Sequence, residues 1–203
     1  MLGKSGLSAC AAGISRGNQS NHLRAAEISE ADAGGYFHIS PFTSVDRKEL
    51  PPAQIAKLMA ALGRRFPEKK LALSCAPTKR ELEKMEKLLA RLPQKPWRVF
   101  AGKLKLLQLA AVIQHSAAHF CGDTGTLHLA VMTRTPTVAW FWANPGLAEW
   151  VPADGPICVV TGANGPDSPH LGAIETDALI HAAQSVLAGS TAAAYHSAQD
   201  FAS

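Results

Sequence analysis

Two clusters of residues have the types and spacing to do chemistry. The first is Cys121-Gly122-Asp123-Thr124-Gly125-Thr126-Leu127-His128-Leu129, a small polar knot between an apolar run and an apolar helical pattern. Gly122 and Gly125 permit tight turning and close backbone approach. The amides of Thr124, Gly125 and Thr126 fall at a helix start, where unpaired N–H groups and the helix dipole favour an anion. Asp123 has two readings: it caps that helix, or it points at ligand hydroxyls as an acceptor. His128 lies four residues after Thr124 and shares its helix face, so an anion at the helix start would bring it within reach as a donor. The second cluster is Ser40-Pro41-Phe42-Thr43-Ser44-Val45-Asp46-Arg47-Lys48. Thr43 and Ser44 offer hydroxyl donors and Lys48 a point charge, a set able to hold a phosphate group. Its plain alternative is a polar loop with a solvated lysine.

The elements that must position these clusters alternate in type. Tyr36 to Ser40 has the character of a short strand ended by Pro41. Pro51-Pro52 opens a helix to about Arg65. Leu71 to Leu73 is a second strand. Thr78 caps a helix from Lys79 to Leu92, with Glu81 three residues on completing a capping-box pattern. Strands follow at Trp97 to Phe100, His119 to Cys121, Pro136 to Trp142 and Ile157 to Val160. The intervening helices are Leu104 to Ala117 and Thr124 to Thr133, and Thr176 to Leu187 closes the series. This alternation, with strands that lack polar positions, predicts a Rossmann-like α/β fold: a parallel sheet with helices on both faces. In such a sheet ligands sit beyond the carboxyl ends of the strands, where both clusters fall. Asp-Thr-Gly is also the tripeptide of aspartic proteases, but those are all-β. This chain also has a single copy, where a protease needs a pair of carboxylates.

Composition narrows the partners. With 203 residues and 47% hydrophobic content, the chain can bury one sizeable core. The formal charge of +4 rests on only 18% charged residues, which suits an anionic small ligand or an anionic membrane surface and gives no reason to expect a nucleic acid. Cys10, Cys75, Cys121 and Cys158 are far apart, without zinc or disulfide spacing, and fit a reducing cytosol. Leu7-Ser8-Ala9-Cys10 matches a lipoprotein cleavage box, but too few residues precede it for a signal. Gly3-Lys4-Ser5 lacks the upstream glycine and strand of a phosphate loop. His115 and His119 have metal-ligand spacing, yet His119 already belongs to a strand, so no metal site is expected there. Along the charge-rich stretch Lys79 to Lys95, Glu83 and Lys87 are expected to pair on a solvated helix face. Of Trp140, Phe141, Trp142 and Trp150, two or more are expected in the core. Residues 1–35 are expected to be a poorly packed lead-in or linker, 36–188 the α/β domain, and 189–203 a flexible tail.

These residues, in this order, carry a resemblance. The chain resembles the carboxy-terminal half of glycosyltransferase family nine, the ADP-heptose:lipopolysaccharide heptosyltransferases. That half begins with a strand, a Thr-Thr or Ser-Thr loop and a lysine, matched here by Thr43, Ser44 and Lys48. Its strongest motif is Asp-Thr-Gly, two variable residues and His-Leu after an apolar strand, matched by Asp123, Thr124, Gly125, His128 and Leu129. A Pro-Thr-Val-Ala strand follows, here Pro136-Thr137-Val138-Ala139, and Leu106 to Ala117 matches the preceding helix pattern.

The resemblance implies an inverting, metal-independent transferase of B-type fold that needs no cofactor and acts in the cytoplasm, with peripheral contact to the inner membrane. By that analogy Thr43, Ser44 and Lys48 face the diphosphate or sugar of an ADP-sugar donor. Thr124 and Gly125 give it amides, Asp123 and His128 approach sugar and phosphate, Glu81 holds the ribose and Leu104 touches the adenine. Two departures stand out. Members of that family are about twice this length, and their amino-terminal half binds the acceptor and supplies the catalytic base, so no catalytic residue is assigned here. Trp142-Ala143-Asn144-Pro145 also replaces the usual Gly-Pro-Thr-Asn-Pro loop, leaving the donor sugar open. Three readings follow: a transferase or its donor-binding half, paired with a separate acceptor-binding domain or chain; a non-catalytic nucleotide-binding module from a truncated or split member; and a structural α/β domain with an empty site.

Overall fold

The computed structural model describes residues 21–23, 27–142, 155–162, 171, 174–189 and 195–197. Seven strands form one sheet: β1 (Tyr36–Ser40), β2 (Lys70–Cys75), β3 (Arg98–Ala101), β4 (Ala118–Gly122), β5 (Thr137–Trp142), β6 (Ile157–Gly162) and β7 (Tyr195–Ser197). Their order is β3-β2-β1-β4-β5-β6-β7, and every neighbouring pair is parallel. Among the described residues five α-helices of two or more turns lie between them: α1 (Pro52–Arg65), α2 (Lys79–Leu89), α3 (Leu106–Gln114), α4 (Gly125–Met132) and α5 (Thr176–Leu187). The α/β expectation therefore holds.

The two faces of the sheet are filled differently. Phe37 and Ile39 of β1, Phe120 of β4, Val138 and Trp140 of β5, and Val160 of β6 pack with α1, α2 and α5 in one large core. Phe120 and Phe66 both meet Phe37 edge-on, at centroid distances of 5.4 and 5.2 Å. α1 buries Ile55, Leu58, Met59 and Leu62, the spacing of a single helix stripe, after Pro52 sets its first turn. The opposite face, under α3 and α4, has two smaller clusters. β1, β4 and β6 are buried along their whole length, as strands covered on both faces must be.

Several boundaries move. Thr78 caps α2, its Oγ1 accepting from the Glu81 amide at 3.3 Å, but the reciprocal half of the capping box is absent. Glu81 Oε2 instead accepts from the Ala76 amide at 2.8 Å. α2 ends at Leu89, before Leu92. α3 begins at Leu106, two residues later than the apolar pattern, with Gln108 Oε1 accepting from the Lys105 amide at 2.8 Å. The described part of the lead-in is packed: Leu23 and Ile28 are buried against Tyr36, Phe100 and Val112. Two apolar side chains in a polar segment are too few to show a periodicity, yet enough to close this cluster. In the stretch read as a tail, Tyr195–Ser197 pair with β6 as β7. Among the described residues no helix is long and apolar enough to cross a membrane.

Candidate functional site

The strand order reverses between β1 and β4, which are direct neighbours although the chain leaves β1 toward β2 and returns from the far side. At such a switch point the loops beyond the two strand ends diverge onto opposite faces and leave a crevice. The loop after β1 holds Thr43, Ser44 and Lys48, and the loop after β4 holds Asp123, Thr124 and Gly125. The fold thus brings the two clusters, about eighty residues apart in sequence, together at the switch point.

They meet directly. Lys48 Nζ forms an ion pair with Asp123 Oδ2, both side chains partly exposed. Asp123 is thus a partner of the lysine and not a helix cap. Thr124 occupies the N-cap position of α4 in an extended conformation and takes up none of the first-turn amides with its side chain. Gly122 is where the loops touch: a Cβ there would lie 2.8 Å from Trp140 Nε1, 3.0 Å from Lys48 O and 3.1 Å from Thr43 Cγ2. Only a glycine lets the β1 loop approach this closely.

The β1 loop is held by charges that the sequence reading did not single out. Glu49 is buried, and its carboxylate accepts from Arg80 Nη2 at 2.8 Å, Lys84 Nζ at 2.7 Å and the Thr43 amide at 3.0 Å. Arg80 also donates to Thr43 O at 2.7 Å and pairs with Asp46, which Lys84 meets at 2.7 Å. Hydrogen bonds from Lys84 and Arg80 hold the Asp46 carboxyl at about 2, below the usual range, and Asp46 raises Arg80 in turn. The expected Glu83–Lys87 pair is replaced on the outer face of α2 by Lys79–Glu83 at 3.9 Å. Arg80 and Lys84, one turn apart, face the loop. That spacing, set against Asp46 and Glu49, was the available signal.

The remaining predicted residues divide. Thr43 is buried, and its hydroxyl is used within the loop, donating to Val45 O at 2.7 Å and accepting from Val45 N at 3.1 Å. The phosphate-facing hydroxyl expected of Thr43 is therefore turned inward, while Ser44 is exposed. Glu81 and Leu104 follow β2 and β3, so both sit at the same sheet edge as Lys48, further from the switch point. Their loops pack together at Gly102, whose φ of +66° and a Cβ position 2.9 Å from Pro77 Cα both require glycine. Glu81 is engaged with the Ala76 amide, and Leu104 is half-buried against the Phe100 cluster. His128 is exposed on α4. Trp140 and Phe141 are core, and Trp142 lies under the Arg47 guanidinium at 5.6 Å. Ala143, Asn144, Pro145 and Trp150 lie outside the described residues. His115 Nδ1 contacts Ala111 O at 2.9 Å and His119 is fully buried in β4, so the two do not converge; among the described residues no group of three or more possible ligands surrounds a metal position.

A lysine and an Asp-Thr-Gly helix start thus meet at the switch point of an all-parallel sheet. The sequence matches glycosyltransferase family 9 (heptosyltransferase) over residues 8–148, and the chain belongs to that family. Solved structures agree in fold. E. coli ADP-heptose LPS heptosyltransferase II superposes with a TM-score of 0.70 at 20% identity, over 88% of this chain and 54% of its own. A glycosyl transferase family 9 protein from Veillonella parvula DSM 2008 gives 0.68 at 20% identity, over 84% and 51%. E. coli heptosyltransferase WaaC with ADP gives 0.62 at 20% identity, over 76% and 45%. The chain thus spans about half the length of these structures. No curated protein matches it in sequence.

Proposed function

We propose that this chain binds an ADP-linked sugar, ADP-heptose first among them, as the donor half of a heptosyltransferase of lipopolysaccharide core synthesis. The observation that carries the reading is the meeting of Lys48 and Asp123 at the switch point, beside the uncapped start of α4. Lys48 exchanges Asp123 for a diphosphate oxygen when the donor enters, and the freed Asp123 carboxylate accepts from sugar hydroxyls. The first-turn amides of Thr124 and Gly125 complete the anion site. Ser44 and His128, both exposed at its rim, donate to phosphate or sugar. Thr43 contributes through its backbone and its packing on Gly122. Glu81 and Leu104, further along the same edge, take the ribose and the adenine. No metal or cofactor is required, because a lysine and a helix start supply the positive charge.

Transfer also needs an acceptor hydroxyl and a base within hydrogen-bond reach of it. Around the switch point, Asp46, Glu49 and Glu81 are engaged with a cation or an amide, and Asp123, once freed, is turned to the sugar hydroxyls. We assign the base and the acceptor site to an opposing half, on the cytoplasmic side of the inner membrane. The test is to incubate the chain with ADP-heptose and a lipid A–Kdo acceptor, alone and with a family amino-terminal half, following product by mass spectrometry. Product in the mixture alone is expected. Steady turnover by this chain alone would move the base onto this edge, and no ADP-heptose binding in either arm would defeat the reading.

A further inference from the structure

The sheet face under α3 and α4 is interrupted by two histidines. His38 follows Tyr36 by two on β1, and His119 precedes Cys121 by two on β4, so both share the face that carries those residues. They separate the cluster around Tyr36 and Val112 from that around Cys121 and Phe141. The pair is in register across the β1–β4 gap, the switch point itself, and fully buried. The rings stack with centroids 4.9 Å apart and 21° between their planes.

Their protons can be assigned from geometry. The Nδ1 atoms lie 2.9 Å apart, a hydrogen bond with room for one proton. His119 Nδ1 is also 3.3 Å from His38 O, which can only accept. The proton therefore sits on His119 Nδ1, shared between that carbonyl and His38 Nδ1. His119 Nε2 is left as a bare acceptor, 3.1 Å from Thr126 Oγ1. Thr126 is the second residue of α4, in the first turn that the Thr124 side chain leaves uncapped. Its hydroxyl donates downward to the sheet. His38 Nε2 carries the remaining proton and has no partner among the described residues. Burial keeps both imidazoles far below their ordinary value, so this neutral arrangement persists at neutral pH. Apolar side chains here would fuse the two clusters and remove an orphan donor, whose burial is unfavourable. Two imidazoles in their place ask for a role.

We propose that His119, its tautomer fixed by His38, is a positioning residue for the donor site: it accepts the Thr126 hydroxyl and so fixes the first turn of α4 over the switch point. The inference rests on the donor-site reading above. It makes the sheet beneath the helix, as well as the loop above it, a determinant of ADP affinity.

The experiment combines nitrogen-15 NMR of the imidazoles with ADP calorimetry. Wild-type His119 should show a protonated Nδ1 and a bare Nε2. His119→Gln places an amide near the Nε2 position and keeps the Thr126 contact, whereas His119→Asn loses it. His119→Asn should weaken ADP binding by about 3- to 10-fold, the span of one net neutral hydrogen bond, and speed amide exchange at Leu127, whose N–H is held by Thr124 O at 3.0 Å. His119→Gln should stay within about twofold. Thr126→Val, which leaves the histidines intact, should reproduce the loss and add nothing to His119→Asn. ADP bound equally by wild type, His119→Asn and Thr126→Val would overturn this inference and leave the donor site standing. A wild-type His119 with its proton on Nε2 would overturn the assignment directly. Failure of the wild type to bind ADP would remove the donor site itself, and this role with it.

Discussion

Stability should fall steeply between pH 7 and pH 5, because His38 and His119 are buried in neutral form. In the unfolded chain each has the ordinary value near 6.5. In the folded chain burial lowers both, His119 to about 3. Between these limits the unfolded state binds more protons, so stability is full above about 6.5 and declines as the pH drops. The limiting slope is about 1.4 kcal/mol per pH unit for each histidine, and integration from pH 7 to pH 5 gives about 2 kcal/mol each, about 4 for the pair. That is a large share of the 5–15 kcal/mol typical of a domain. The assay is urea unfolding at the two pH values, with His38→Asn/His119→Asn as control. The wild type should lose about 4 kcal/mol, and the control less than about 1, since His22, His115, His128 and His181, the other histidines whose burial is described, each keep some solvent exposure. A wild-type loss below about 1 kcal/mol would show that the pair is hydrated or charged when folded, and the tautomer argument would fall with it.

The loop after β1 gives the next expectation. Glu49→Gln removes the charge shared by Arg80 and Lys84, and should cost about 1.5–3 kcal/mol in urea unfolding, kept below the fully buried case because both cations are partly exposed. The same variant should weaken ADP binding by loosening the backbone that carries Lys48, which calorimetry would detect. ADP affinity should be unchanged by EDTA and by added magnesium; affinity that vanished with EDTA and returned with magnesium would mean that a metal, and not Lys48, holds the diphosphate.

Much of this fold was legible because its signals are local. Apolar strands without alternation fixed β1, β4, β5 and β6 to within a residue or two, and Pro52 and Thr78 marked two helix starts. The Asp-Thr-Gly motif and Lys48 were also found locally, and the parallel alternation was enough to put them at one sheet edge. What escaped depends on contacts between distant positions. Arg80 and Lys84 looked like part of a solvated face because their partners, Asp46 and Glu49, lie more than thirty residues away. The inward turn of the Thr43 hydroxyl follows from loop conformation, which residue type does not specify. His119 has only His115 as a near neighbour of its kind in sequence, while its partner His38 is eighty-one positions away across a strand pair. Leu23 and Ile28 gave no pattern because they fill a gap in a cluster and do not line a helix face.

The central claim is that Lys48, paired with Asp123 in the free chain, is the cation that receives the donor diphosphate. Calorimetric titration of ADP into the wild-type chain and into Lys48→Ala tests it most directly. The account predicts binding by the wild type and a loss of about 1.5–3 kcal/mol in the variant, the worth of a hydrogen bond to a charged group. Equal ADP affinity in the two proteins would contradict it and return Lys48 to the surface.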